Sequence, residues 1–124
     1  MEMFDFGYSG KADAQRTEII NLLLKSGADP NILYEESWGC DSPLMNVSQY
    51  GQIDFVKLLL SFKADPNLKC KSGETALNRV SPNNNSKYAE LVNTLVDAGA
   101  DVNSVGEGGI TPLMTAVESR DISI

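Results

Sequence analysis

The chain contains no histidine. Nucleophilic arrangements of the Ser-His-Asp or Cys-His kind are therefore impossible, and so is a histidine-ligated metal site. Only two cysteines are present, Cys40 and Cys70, and they form no C-x-x-C pair. No apolar run approaches the roughly 20 residues that cross a bilayer. Cations are scarce: 10 Lys and Arg stand against 17 Asp and Glu, for a net charge of −7. Such a balance argues against nucleic acid, whose phosphates would repel the chain, and against an anionic membrane surface. It is compatible with solubility alone or with a basic protein partner. The opening MEMFDFGYSG has neither a basic end nor an apolar stretch, so no secretory signal is read there. Two cysteines without secretory features point to reduced thiols and a cytoplasmic location.

What the sequence does have is a repeat. GADPN stands at residues 27–31, KADPN at 63–67 and GADVN at 99–103, so the starts are 36 residues apart twice over. A near-identical pentapeptide at a fixed interval marks a repeat protein. With 42% hydrophobic residues in 124, there is enough apolar material for one packed domain.

One unit can be read in detail. After Asn31 comes the polar stretch ILYEESWGCD. Ser42 followed by Pro43 is a helix start, since a hydroxyl caps free N–H groups and proline fits the first turn. Leu44 and Val47 share one face of this short helix, and Tyr50-Gly51 ends it, with Gly51 suited to the left-handed conformation. A second helix follows in QIDFVKLLLSF, where Phe55, Val56, Leu59 and Leu60 form one apolar stripe. Pro66 then forbids continuation. The pentapeptide is thus a helix stop and chain reversal. Gly27 and Gly99 supply positive φ there, and Lys63, in the same register, is expected to carry a strain of roughly 1 kcal/mol.

These residues resemble the ankyrin repeat, a unit of a β-turn finger and two antiparallel helices with T-P-L-H-x-A at the first helix. The matching stretches are Ser42-Pro43-Leu44-Met45, Thr75-Ala76-Leu77-Asn78 and Thr111-Pro112-Leu113-Met114. Second-helix positions match at Ile19, Ile20, Leu23 and Leu24, at Phe55, Val56, Leu59 and Leu60, and at Leu91, Val92, Leu95 and Val96. The resemblance covers about residues 15 to 124. It implies an all-α solenoid of about three to four stacked helix-turn-helix units with β-turn fingers, in a single domain. The units are a degenerate repeat over 1–31, a second with an enlarged finger over 32–67, a third with an enlarged inter-helix loop over 68–103, and a partial repeat over 104–124.

Where the chain departs from the family pattern is informative. The equal spacing conceals two insertions, one in the finger before Ser42 and one between the helices of the third unit, at SPNNNSK. The family's usual histidine is replaced by Met45, Asn78 and Met114, so the hydrogen bonds it ties are either lost or replaced. Residues 1 to 14 are either a degenerate capping helix or a loose arm. At the other end Met114, Ile122 and Ile124 have little to pack on, so the chain is either a fragment of a longer array or an edge that docks on something, self-association included.

Other chemistry finds little support in the residues. Counted from the helix starts, Cys40 and Cys70 sit at different heights in their fingers, so a separation beyond the roughly 7 Å that a disulfide tolerates is expected. Glu35-Glu36 reads as a solvated pair in an exposed turn. GEGG at 106–109 is explained by turn geometry rather than phosphate binding. No catalytic residue, cofactor or metal is expected, and the chain is read as non-enzymatic.

The resemblance further implies that another protein is bound, through finger tips and the concave side of the first helices. Leu33, Tyr34 and Trp38 of the enlarged finger are the leading candidates, because aromatic residues concentrate binding energy. The alternative for Trp38 is that it folds back to cover core. Gln49 and Tyr50 lie at the groove-facing end of a first helix, with Glu118 and Ser119 as counterparts in the last unit. Lys69, Lys71 and Glu74 mark the third finger, and Val105, Glu107 and Ile110 the fourth. The function expected is that of an interaction module in a longer scaffold or effector; the alternative is a small acidic inhibitor or immunity-type protein that masks a basic enzyme or toxin.

Overall fold

A computed structural model describes residues 10–37, 39–82 and 87–118, with side chains from residue 14 onward. Its elements are α1 (Gly10–Lys25), β1 (Tyr34–Glu36), β2 (Gly39–Asp41), α2 (Pro43–Gln49), α3 (Ile53–Ser61), α4 (Ala76–Arg79), α5 (Tyr88–Asp97), a 3-10 turn at Glu107–Gly109 and α6 (Pro112–Glu118). Helix pairs α2/α3 and α4/α5 are the two complete repeats. Helix α2 packs on α3 and on α4, and α3 packs on α5. No described helix is long and apolar enough to cross a membrane.

The local signals act as expected. Ser42 Oγ accepts from the Met45 amide (3.2 Å), and Pro43 opens α2. Gly51 turns the chain into α3 with φ 69°. From there Ile53, Phe55, Val56 and Leu59 go inward, and in α5 Leu91 and Leu95 are fully buried. All but Phe55 meet Leu44, Met45, Ala76, Leu77 and Val80 in one continuous core. Neither short helix of a unit has this much apolar contact alone, so the stacking of units creates the core. At the outer units burial fades. Ile19, Leu22 and Leu23 of α1 are 58%, 65% and 55% exposed, and Leu113, Met114 and Val117 of α6 are 72%, 49% and 55% exposed. Helix α1 is one unbroken helix, so residues 10–14 belong to it and do not form a loose arm; residues 1–9, Ile122 and Ile124 lie outside the described residues.

The recurring pentapeptide does more than stop a helix. At each stop an amide reaches back to a carbonyl five residues earlier, from Ala28 to Leu23, Ala64 to Leu59 and Ala100 to Leu95, each at 3.0 Å. The residue between takes positive φ: Gly27, Lys63 (71°) and Gly99. The aspartates then accept from the backbone two residues on, as Asp29 from Asn31 (2.8 Å), Asp65 from Asn67 (2.8 Å) and Asp101 from Asn103 (2.9 Å). The asparagines stitch the units together. Asn31 donates to the Lys63 carbonyl (3.2 Å) and accepts from the Asp65 amide (2.6 Å). Asn67 repeats this with the Gly99 carbonyl (2.9 Å) and the Asp101 amide (2.7 Å). Asparagine suits the place because its amide donates and accepts at once.

Candidate functional site

The enlarged finger is a β-hairpin. Tyr34, Glu35 and Glu36 pair with Asp41, Cys40 and Gly39. The next finger turns more tightly: Gly73 donates to the Cys70 carbonyl (2.9 Å) and Cys70 to that of Glu74 (3.0 Å). Finger four copies that turn with Gly106 in place of Cys70, where the Gly106 amide donates to the Ile110 carbonyl (2.9 Å).

Cys40 and Cys70 are joined in a disulfide, with Cα atoms 6.1 Å apart. This corrects the expectation of two distant free thiols. Counting from the helix starts treated both fingers as one extended path. In fact the turn brings Cys70 opposite Glu74, beside the helix start, and so to the height of Cys40 on the returning strand. The cytoplasmic reading loses one of its supports, since it took these cysteines as reduced.

Between the fingers and the ends of the first helices runs an open groove of about 1190 Å³. Five of the residues singled out in the sequence line it: Tyr34, Gln49, Lys71, Glu74 and Glu107. Glu35, Glu36, Asp41, Arg79 and both cysteines complete its main walls. Arg79, from the last position of α4, is the hub. Its Nε donates to Glu74 Oε1 (2.8 Å), its Nη1 to Gln49 Oε1 (3.1 Å) and Asp41 Oδ1 (3.4 Å), and its Nη2 to the Cys40 carbonyl. Its side chain is only 15% exposed. Glu35 is not simply solvated, as expected of it, because its Oε2 accepts from the Lys71 amide (2.8 Å) and ties one finger to the next.

The other candidates fall elsewhere. Leu33 is half-buried and packs against the core, a structural role. Tyr50 is 62% exposed and lies outside the groove walls. Lys69, Val105, Ile110 and Glu118 are exposed and also stand apart from the groove. Trp38 and Ser119 lie outside the described residues. Arg79 and the disulfide went unread. A lone arginine ending a short helix carries no signature, and only its convergence with Asp41, Gln49 and Glu74 reveals its role.

The missing histidine has two different replacements. Asn78 Oδ1 accepts from the Thr75 amide (3.0 Å) and hydroxyl (3.2 Å), while its Nδ2 donates to the carbonyls of Ser104 (3.1 Å) and Ile110 (3.5 Å). A Cβ on Gly106 would come within 3.2 Å of this amide, so glycine makes room for it. Met45, by contrast, is buried with its sulfur 3.8 Å from Cys70 Sγ.

Chemically the groove offers carboxylates, one guanidinium and one ammonium, groups that attract and hold charge. No group of three or more Cys, Asp or Glu is placed to hold a metal ion among the described residues. Burial pushes the phenol of Tyr88 upward, but Tyr88 lies in α5, away from the groove.

The sequence pattern of ankyrin repeats, in three copies, matches residues 11–106. Alpha-latrocrustotoxin-Lt1a of Latrodectus tredecimguttatus is 34% identical over 104 residues, which are 83% of this chain and 7% of the toxin. The B-cell lymphoma 3 protein homolog of Mus musculus is 36% identical over 107 residues, 86% of this chain and 23% of that protein. The chain thus spans less than a quarter of either relative. Among solved structures, the ankyrin repeat domain of Bcl-3, described as a member of the IkappaB protein family, superimposes with a TM-score of 0.70 at 33% identity, covering 90% of this chain and 46% of that one. On its pentapeptide stops, its stacked helix pairs and these matches, the chain belongs to the ankyrin-repeat family.

Proposed function

We propose that the chain recognises a protein partner with a basic surface, and that the contact is made by the groove, the finger tips beside it and the exposed ends of the first helices. One observation carries this reading: the groove walls hold five carboxylates against two cations, and one of the cations, Arg79, is already held by Asp41 and Glu74. The remaining field is negative, as is the whole chain, and favours a cationic surface. The groove is also larger than the roughly 300–1,000 Å³ usual for a small-molecule pocket. That the matching stretch is only 7% and 23% of two longer relatives supports a module of a scaffold or effector. The acidic groove equally suits a masking inhibitor of a basic enzyme, and the effect of binding on the partner's activity separates the two roles.

The test is capture of a partner by the immobilised chain beside a Glu36→Lys, Glu107→Lys variant, both positions being exposed on the groove rim. The variant is expected to bind about tenfold or more weakly, and wild-type affinity to fall as salt rises. Equal binding at all salt concentrations would move the contact off the groove.

A further inference from the structure

We propose that the Cys40–Cys70 disulfide is a redox latch on the groove: closed, it fixes the hairpin finger against its neighbour; reduced, it frees that finger while the helical stack stays folded. This rests on the reading of the groove as the contact surface.

The proposal follows from how unevenly the two sides of the bond are held. Cys70 is buried beside Met45 and belongs to the packed core. Cys40 lies on a two-stranded hairpin of three residues a strand, and such a pair is marginal by itself in water. Besides the disulfide, polar ties join it to the third unit, Glu35 accepting from the Lys71 amide and Arg79 donating to Asp41 and the Cys40 carbonyl, while Cys40 itself is only partly buried against the core. The Glu35 tie is exposed to water, and the part-buried Arg79 ties hang on one side chain. The core of α2, α3, α4 and α5, in contrast, is closed by buried Leu44, Val56, Leu77, Leu91 and Leu95. Cutting the bond therefore acts on a short, partly buried hairpin and leaves the buried helices in place. Both cysteines line the groove, so a reductant reaches the bond from the binding side.

The reductant is a dithiol. One thiolate attacks the Sγ of Cys40, the more exposed residue of the two, forming a mixed disulfide and breaking the Cys40–Cys70 bond. Cys70 leaves as a thiolate and takes the proton released by the attacking thiol. The second thiol of the reagent then attacks its own bonded sulfur, releasing Cys40, which takes the second proton. Two electrons and two protons pass to the protein, and the reagent ends as a cyclic disulfide.

The experiment is hydrogen exchange on the air-oxidised chain before and after dithiothreitol, without denaturant. Before reduction no thiol should alkylate in the native protein, and afterwards two should. Amides of residues 34–41 are expected to exchange about tenfold faster or more once reduced and well above the global unfolding rate, while those of α2, α3 and α5 exchange no faster than global unfolding, measured in urea, allows. A Cys40→Ser, Cys70→Ala variant should match the reduced chain and ignore dithiothreitol. Two free thiols in the oxidised chain, no change in the hairpin, or helix amides exchanging faster than global unfolding allows would each overturn the latch. A partner captured by the oxidised chain should be released by dithiothreitol, and retention would overturn the gating. Failure to capture any partner would count against the proposed function, while the exchange result still decides the latch.

Discussion

The junction between units two and three and the junction between units three and four occupy equivalent places in the solenoid, yet they are closed by different chemistry. At the first, Met45 lies against Cys70, which is bonded to Cys40, and Arg79 gathers the polar groups around them. At the second, Asn78 joins its own helix start to the next finger through four hydrogen bonds, and Thr75 Oγ1 lies 3.2 Å from Ser104 Oγ. Thr75 and Ser104 are both buried. The ankyrin scaffold demands that finger and helix be tied, not that histidine tie them. A covalent bond from an inserted hairpin serves at one junction, and an amide that donates and accepts serves at the other. Only the first of these can be opened by a change of redox state.

The sharpest way to break the comparison is at the sulfur junction. Cys40 and Cys70 are separated by 30 residues, and closing a loop of that order stabilises by about 3 to 4 kcal/mol, chiefly by restricting the unfolded chain. Cys40→Ala with Cys70→Ala is expected to lower the unfolding free energy by about that much in urea. Dithiothreitol should produce a similar loss in the wild type and none in the variant. A loss below 1 kcal/mol would mean that the denatured chain already holds the two fingers close.

A smaller effect is expected at the amide junction. Asn78→Ala removes partners from the Thr75 amide and the Ser104 carbonyl, both part-buried, and should cost about 2 kcal/mol in urea unfolding of the disulfide-intact chain. Asn78→His places the family's residue there. Recovery of most of the loss would show that the two side chains meet one requirement. A histidine variant no better than alanine would show instead that Gly106 and Ser104 have adapted to the amide.

How much of this could be read without coordinates follows from the range of each interaction. The helix pairs, Ser42 as cap and the stops were legible, because a cap, an apolar period and a proline act within one turn of chain. Tyr34, Gln49, Lys71, Glu74 and Glu107 line one groove, a proximity the repeat register suggests without saying what they bind. The disulfide was not legible. It depends on how two fingers of unequal length fold back, and linear counting misplaced Cys70 relative to the helix start. Arg79 was missed for a related reason, as its partners come from β2, α2 and the third finger. The asparagine stitching lay between the two: its period was plain, but its span of 32 and 34 residues is a tertiary fact.

The smallest effect concerns the helix stops of the same two junctions. The second unit ends α3 on Lys63 at φ 71°, whereas the third ends α5 on Gly99 at φ 99°. The hydrogen bonding is the same, with Lys63 donating to Leu60 (3.0 Å) and Gly99 to Val96 (2.9 Å). A side chain in the left-handed region crowds the following carbonyl, and glycine removes that crowding but makes the unfolded chain more flexible. The two effects oppose each other, and the first is the larger at this angle. Lys63→Gly should therefore raise stability by up to roughly 1 kcal/mol, seen as a higher Tm for the disulfide-intact chain. The Lys63 carbonyl that receives Asn31 is untouched by the change, so the stitch across the junction is kept. An unchanged or lower Tm would mean that the exposed lysine stem gives by contact what its backbone costs by strain.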